Sequence, residues 1–170
     1  PLWSRGLGDV YKRQALERTQ PVALASLIDD IAISARSAAA QRNIRVHVDI
    51  RAEASVEGDP FLLRRAVSNL LDNAIDFSPT GSEVRMTLET TSRLARVSVR
   101  DRGPGIPDYA QEKVFQKFYS LARPHSQKKS TGLGLAFVKE IAALHHGRIE
   151  LGNATRGGAV ATLTLPLLSP

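Results

Sequence analysis

The sequence predicts an α+β domain, a two-layer sandwich in which helices pack on one face of an open, mixed, mainly antiparallel sheet. Three observations carry that expectation. Several short stretches alternate apolar and polar residues, as half-buried strands do. Three longer stretches repeat apolar residues at helical spacing. The two kinds are not interleaved as regular βαβ units, because strands 83–90 and 94–101 follow one another directly and two more strands close the chain.

Residues 15–42 read as mostly helical, with Leu27, Ile28, Ile31, Ile33 and Ala35 among alanines and charges, and with a short extended stretch at Pro21. Ile44, Val46, Val48 and Ile50 alternate with polar residues and predict a strand over 44–50. A second short strand around 54–56 leads to Gly58-Asp59-Pro60. There Asp59 can cap and Pro60 can start a helix that runs to Phe77. Ser78-Pro79-Thr80-Gly81 stops it. The strands 83–90 and 94–101 form a hairpin. Residues 102–131 lack a regular period apart from the cluster VFQKFY, and a loop that long in a compact domain is usually a lid or binding loop. A helix over 132–146, stopped by Gly147, and the strands RIEL and AVATLTL complete the chain.

Composition limits the function. A chain of 170 residues suits one domain. It has no cysteine, which excludes disulfides and thiolate metal sites and fits a reducing cytoplasmic setting. No apolar run is long enough to cross a bilayer, so no direct membrane contact is expected. The net charge of +6 is scattered rather than gathered on one element, which argues against nucleic acid. Residues 1–14 carry no period and look like a cloning or sequencing scar or a disordered tail, with a native linker as the alternative, and are left out of fold reasoning; 15–170 is the expected domain.

Chemistry enters with polar residues in unusual places. On a helical wheel Asn69, Asn73 and Asp76 share a stripe about 60° wide, while Leu63, Val67, Leu70 and Ala74 face the other way. Amide oxygens suit a Mg²⁺ that keeps most of its waters, but a solvated helix face is an equal reading of the spacing. Asp101 continues the strand face of Val97 and Val99, so a carboxylate falls on the core side. It must accept hydrogen bonds from the protein or await a donor such as the amino group of adenine. Gly103 and Gly105 would let the backbone pass close to a flat base, or form an ordinary turn. Gly132 and Gly134 stand where a helix starts and could offer N–H groups to phosphate, or act as a hinge. Neither pair completes a P-loop or a dinucleotide fingerprint.

NLLDNAIDF, DRGPGIP, FQKF and TGLGL, in that order, resemble the N, G1, F and G2 boxes of histidine kinases, members of the GHKL ATPases together with DNA gyrase, heat-shock chaperones and mismatch-repair proteins. The resemblance covers roughly residues 20–166, and GDPFLLRRAVSNLLDNAIDFSP, GIPDYA and STGLGLAFVKEIA are similar to CreC-type sensor kinases of bacterial inner membranes. It implies a Bergerat-type ATPase fold, ATP and Mg²⁺ as ligands, and transfer of the γ-phosphate to a histidine on a separate dimerisation hairpin. It implies a response regulator as partner of the full-length kinase, and a cytoplasmic domain of an inner-membrane sensor. Carried over by position, Asn73 would hold Mg²⁺, with Asn69 beside it in the catalytic box. Asp101 would bind the adenine amino group, with Gly103, Gly105 and Ile106 around the base. Thr131, Gly132, Leu133, Gly134 and Leu135 would form the second glycine box. Phe115 and Phe118 would anchor an ATP lid over about 107–131, whose Arg123, Lys128 and Lys129 could reach the phosphates.

Two positions depart from the pattern. Asp76 stands where many relatives place a phosphate-touching Lys or Arg, and Ala159 stands near a place where relatives often have Ser or Thr. Asn69 also matters, because the hydrolysing relatives resemble one another in placing a Glu there to activate water, and an amide cannot take that proton. Phosphotransfer is therefore expected over a hydrolytic switch or a non-catalytic nucleotide module. None of His47, His125, His145 and His146 has the setting of a phosphoacceptor. The hairpin is expected upstream of Ala15.

Overall fold

The computed structural model describes residues 18–116, 119, 121 and 134–169. In chain order these form β1 (Gln20–Ala23), α1 (Leu24–Gln41), β2 (Arg45–Ile50), β3 (Ser55–Gly58), α2 (Pro60–Phe77), β4 (Glu83–Thr91), β5 (Leu94–Arg100), two 3₁₀ turns (Asp108–Ala110 and Lys113–Phe115), α3 (Gly134–Leu144), β6 (Arg148–Asn153) and β7 (Ala159–Pro166). Five strands make one sheet in the order β2-β4-β5-β7-β6. Only β2 and β4 run parallel; the other neighbours are antiparallel. That exception follows from the connection, because a helix lies between β2 and β4 in sequence and a crossover returns the chain in the same direction.

The strand alternation puts one set of side chains into a common core. Met86, Val99, Ala161 and Leu151 stand in one cross-strand row, and Leu88, Val97, Leu163 and Ile149 in the next. Met86, Leu88, Val97 and Leu163 have no solvent exposure. The intervening residues, such as Thr87, Ser98 and Thr162, stay partly exposed, so one face is packed and the other open. All three helices contribute to the packed side. In α2, Leu62, Leu63, Leu70 and Leu71 are fully buried. At about 1.5–3 kcal/mol for each such side chain, they fix the helix rotation, and the polar stripe follows from it.

Several expected boundaries shift. The first described helix begins at Leu24, after the extended stretch expected at Pro21, where Pro21 and its neighbours pair antiparallel with β3 as a separate two-stranded ribbon. Proline is tolerated there, on an edge. Ile33, expected in the apolar pattern of α1, is 63 % exposed; Leu27, Ile28, Ile31 and Ala32 make the buried stripe without it. The end of α3 also differs. Gly147 is not the left-handed residue; His146 is, at φ 58°. His146 N–H bonds to Ala143 O at 3.1 Å and Gly147 N–H to Ala142 O at 2.8 Å, the paired bonds of a Schellman close. Gly147 is required for another reason, since a Cβ there would meet Thr164 O at 2.1 Å.

Both ends of α2 are tied. Asp59 accepts from Phe61 N–H at 2.9 Å and Leu62 N–H at 3.3 Å, the cap expected of it. At the other end the Arg42 guanidinium donates to the carbonyls of Ile75 and Ser78, placing positive charge at the negative end of the helix. His145 is buried rather than in an open last turn: its Nε2 accepts from Asp59 N–H at 3.0 Å, and its Nδ1 lies 2.7 Å from Ile141 O. Through it the C-terminal end of α3 is fastened to the start of α2.

Candidate functional site

A cleft of about 300 Å³ opens where α2, β5, β7 and the start of α3 meet. The core places α2 so that Asn69, Asn73 and Asp76 line one side, while β5 and the loop after it contribute Asp101, Gly105 and Ile106. Gly134 and Leu135 enter from the first turn of α3, and Ala159 from the start of β7. The structure thus gathers seven of the expected site residues: Asn69, Asn73, Asp101, Gly105, Ile106, Gly134 and Leu135. Gly134 stands against Asn69: a Cβ on it would lie 3.4 Å from Asn69 Oδ1. Phe118, Arg123, Lys128, Lys129, Thr131, Gly132 and Leu133 lie outside the described residues, as do residues 1–17 and most of the expected lid.

Asp101 is 7 % exposed, on the core side as the strand period predicts. Its Oδ1 accepts from Gly103 N–H at 2.9 Å and from Ala159 N–H at 3.0 Å. The first of the two possibilities open in the sequence, hydrogen bonds from the protein, is therefore realised at Oδ1. Asp101 also lines the cleft. Burial raises the pKa of this carboxyl above the ordinary range, against the opposing pull of the Ala159 and Gly103 amides and the Arg100 charge.

Gly103 is not among the residues that line the cleft; the close approach it permits is to the end of α2, where a Cβ would meet Phe77 O at 2.2 Å. Gly105, at φ +80°, does line the cleft. Ala159 lines it too, and acts through its backbone, so no side-chain hydroxyl is needed for its contact with Asp101.

Asp72 was missed. It stands at the mouth of the cleft beside Asn73, and its pKa is raised first by the surrounding protein and then by the charge of Asp76 one turn away. The signal was present: on the helical wheel Asp72 falls only about 40° beyond Asp76, at the edge of the Asn69–Asn73–Asp76 stripe. Phe77, Tyr119, Leu121 and Leu151 add apolar walls. Among the described residues no group of three acidic or imidazole side chains is placed to hold a metal, so any cation here would lean on amide oxygens and on groups brought by a ligand.

The chain matches, over residues 58–169, the family described as histidine kinase-, DNA gyrase B- and HSP90-like ATPases. It belongs to that family, and within it to the ATP-binding catalytic domains of sensor histidine kinases. It is 41 % identical over 167 residues to the sensor protein CreC of Escherichia coli, covering 95 % of this chain and 35 % of CreC. It is 35 % identical over 142 residues to the sensor-like histidine kinase SenX3 of Mycolicibacterium smegmatis, covering 83 % of this chain and 37 % of SenX3. Among solved structures, the mycobacterial sensor histidine kinase MprB superposes with a TM-score of 0.78 at 30 % identity, over 89 % of this chain and 99 % of that one. The ATP-binding domain of PrrB from Mycobacterium tuberculosis does so with a TM-score of 0.72 at 28 % identity, over 89 % and 99 %. The α+β sandwich read from the sequence is the fold of these domains. The chain spans little more than a third of the length of CreC and SenX3.

Proposed function

We propose that this chain holds Mg-ATP in the cleft and presents the γ-phosphate to a histidine on a dimerisation hairpin outside residues 15–170, with a response regulator as the eventual acceptor through the full-length protein. The observation that carries the reading is Asp101: a buried carboxylate lining the cleft, with one oxygen held by two backbone amides, whose other oxygen would accept from a donor on the ligand. The exocyclic amine of adenine is such a donor, whereas guanine offers a carbonyl in its place. Gly105 and Ile106 would flank the base, and Asn73, with Asn69 beside it, would supply amide oxygens to Mg²⁺. When bound, Mg²⁺ would neutralise phosphate charge.

The residues of the chain position and orient rather than exchange protons. Transfer of a phosphoryl group to an imidazole needs alignment and charge neutralisation, with no catalytic base from this domain. Asn69, an amide at the place where hydrolysing relatives carry Glu, supports transfer over release to water. The first turn of α3 presents backbone N–H groups beside Gly134, where phosphate oxygens are favoured. From the sequence, Thr131, Gly132 and Leu133 would extend that cradle; Phe118, Arg123, Lys128 and Lys129 would belong to a lid over about 107–131. Two of the described histidines are unsuited to accept phosphate at this site: His145 has both ring nitrogens engaged, and His47 lies out on β2. No helix among the described residues is long and apolar enough to cross a membrane. The domain would face the cytoplasm as part of a membrane-bound sensor.

The test uses γ-labelled ATP with the chain alone, with a dimeric phosphoacceptor hairpin added in trans, and with the Asn73→Ala variant. Acid-labile label should appear only on the hairpin, and only with Asn73 intact. Label retained on this chain alone, or rapid release of phosphate to water, would overturn the reading.

A further inference from the structure

Asn153, the last residue of β6, turns its side-chain amide onto the loop that follows Asp101. Its Oδ1 accepts from Ile106 N–H at 2.7 Å, and its Nδ2 donates to Ile106 O at 3.0 Å. One side chain thereby satisfies both backbone groups of one residue, as a neighbouring strand would. Gly105 is shaped to this contact. It adopts φ +80°, and a Cβ there would stand 2.7 Å from Asn153 Oδ1.

The turn after Asn153 reaches the other end of the same loop. Ala154 N–H bonds to Gly158 O at 2.9 Å, closing the turn. Gly158, at φ +88°, lies so near Asp101 that a Cβ would meet the Asp101 carbonyl oxygen at 2.0 Å. Ala159 then bonds to Asp101. The β6–β7 connection therefore grips residues 101–106 twice, at Asp101 through Ala159 and at Ile106 through Asn153. Between these grips lie Gly103 and Gly105, which resist bending least.

We propose that Asn153 is a positioning residue for the base: by clamping Ile106 it holds the Gly105–Ile106 wall of the cleft at the spacing an adenine ring requires, while making no contact with the nucleotide itself. This rests on reading the cleft as an adenine-nucleotide site. Asn153→Ala removes both hydrogen bonds, and Asn153→Asp keeps the shape but cannot donate and sets a negative oxygen against Ile106 O. Both variants leave Asn69, Asn73 and Asp101 in place.

The experiment measures binding of Mg-ATP and of magnesium tripolyphosphate, which has no base, to the full chain and to both variants by calorimetry. Hydrogen exchange at the Ile106 amide is followed without ligand. With both hydrogen bonds lost in Asn153→Ala, and one lost and a repulsion gained in Asn153→Asp, ATP should bind about tenfold more weakly in either variant. Tripolyphosphate affinity should stay within about twofold, because the phosphate end of the cleft is separate from Ile106. Ile106 should exchange faster in Asn153→Ala, with the slowest core amides unchanged. A purely structural Asn153 would weaken both ligands together or neither, and either result overturns the inference. ATP affinity equal to that of the unaltered chain, with Ile106 already deprotected, also overturns it. Failure of the unaltered chain to bind Mg-ATP, while tripolyphosphate binds, would instead remove the adenine reading on which the inference stands.

Discussion

Asp101 and Ala159 are joined in both directions: Asp101 N–H donates to Ala159 O, and Ala159 N–H donates to Asp101 Oδ1, each at 3.0 Å. The buried carboxylate is thus fastened to the first residue of β7, and to Gly103, through their backbone N–H groups, before any ligand arrives. Preorganisation of this kind lowers the ordering cost of binding.

Asp101→Asn should separate affinity from stability. The amide can still accept from Gly103 and Ala159 through Oδ1, but it then presents NH₂ toward the cleft, donor against donor. Losing a charge-assisted hydrogen bond predicts about 10- to 100-fold weaker ATP binding by calorimetry. The melting temperature of the ligand-free variant at neutral pH should equal or exceed that of the parent, because a carboxylate that burial disfavours has been made neutral. A large fall in melting temperature would show that the charge itself holds the fold.

The pH dependence of that comparison has a definite sign. The folded-state pKa of Asp101 is raised, so its contribution to stability is greatest below the ordinary aspartate value near 3.9 and is lost as pH rises through the folded value. The stability advantage of Asp101→Asn should therefore be smallest in acid and grow toward neutrality. Urea unfolding of both proteins across that range checks it, and a gap that widens on acidification contradicts it.

How much of this was legible beforehand differs by element. The strands around Val97 and Val99 alternate cleanly, so the side of the sheet that Asp101 occupies could be read directly. The cap at Asp59 could be read too, because its partners lie two and three residues away. His145 could not: its partners are Ile141, which is local, and Asp59, 86 residues earlier, and nothing in a helical pattern announces such a closure. Gly103 was readable as a close approach but not as an approach to Phe77, since periodicity says nothing about which backbone lies opposite. Ile33 misled because one apolar residue on the outer face of a helix costs little and leaves the period almost intact.

Removing the His145 closure should destabilise the domain without altering the chemistry of the cleft directly. His145→Ala leaves the Asp59 N–H buried without its acceptor and opens a cavity, at a cost of about 2–4 kcal/mol in urea unfolding. Gly58→Ala attacks the same contact from the other side, because its new methyl would stand 2.5 Å from His145 Cδ2 and 2.9 Å from Leu63 Cδ1. Combined, the two changes should cost less than their sum, since the smaller side chain at 145 makes room for the methyl. Full additivity would mean that the two residues do not share one contact.

Asp72 and Asp76 lie one helical turn apart at the cleft, where like charges at i and i+4 repel. Asp76→Asn should move the Asp72 titration, followed by carboxyl NMR, to lower pH, because the Asp76 charge is the second cause of its raised pKa. It should remain above the ordinary value, because burial, the larger cause, is untouched. Asp76→Lys should shift it further in the same direction by adding an opposite charge. If the proposed function holds, the lysine variant should also bind ATP more tightly at low salt, since a carboxylate gives way to a cation where many relatives place a phosphate-touching Lys or Arg. That gain should shrink as ionic strength rises and the charges at the cleft mouth are screened. An Asp72 titration that does not respond to either change would mean that the two carboxylates are too well solvated to sense one another. Weaker ATP binding by the lysine variant would show that Asp76 assists the nucleotide, through metal-bound water, rather than opposing it.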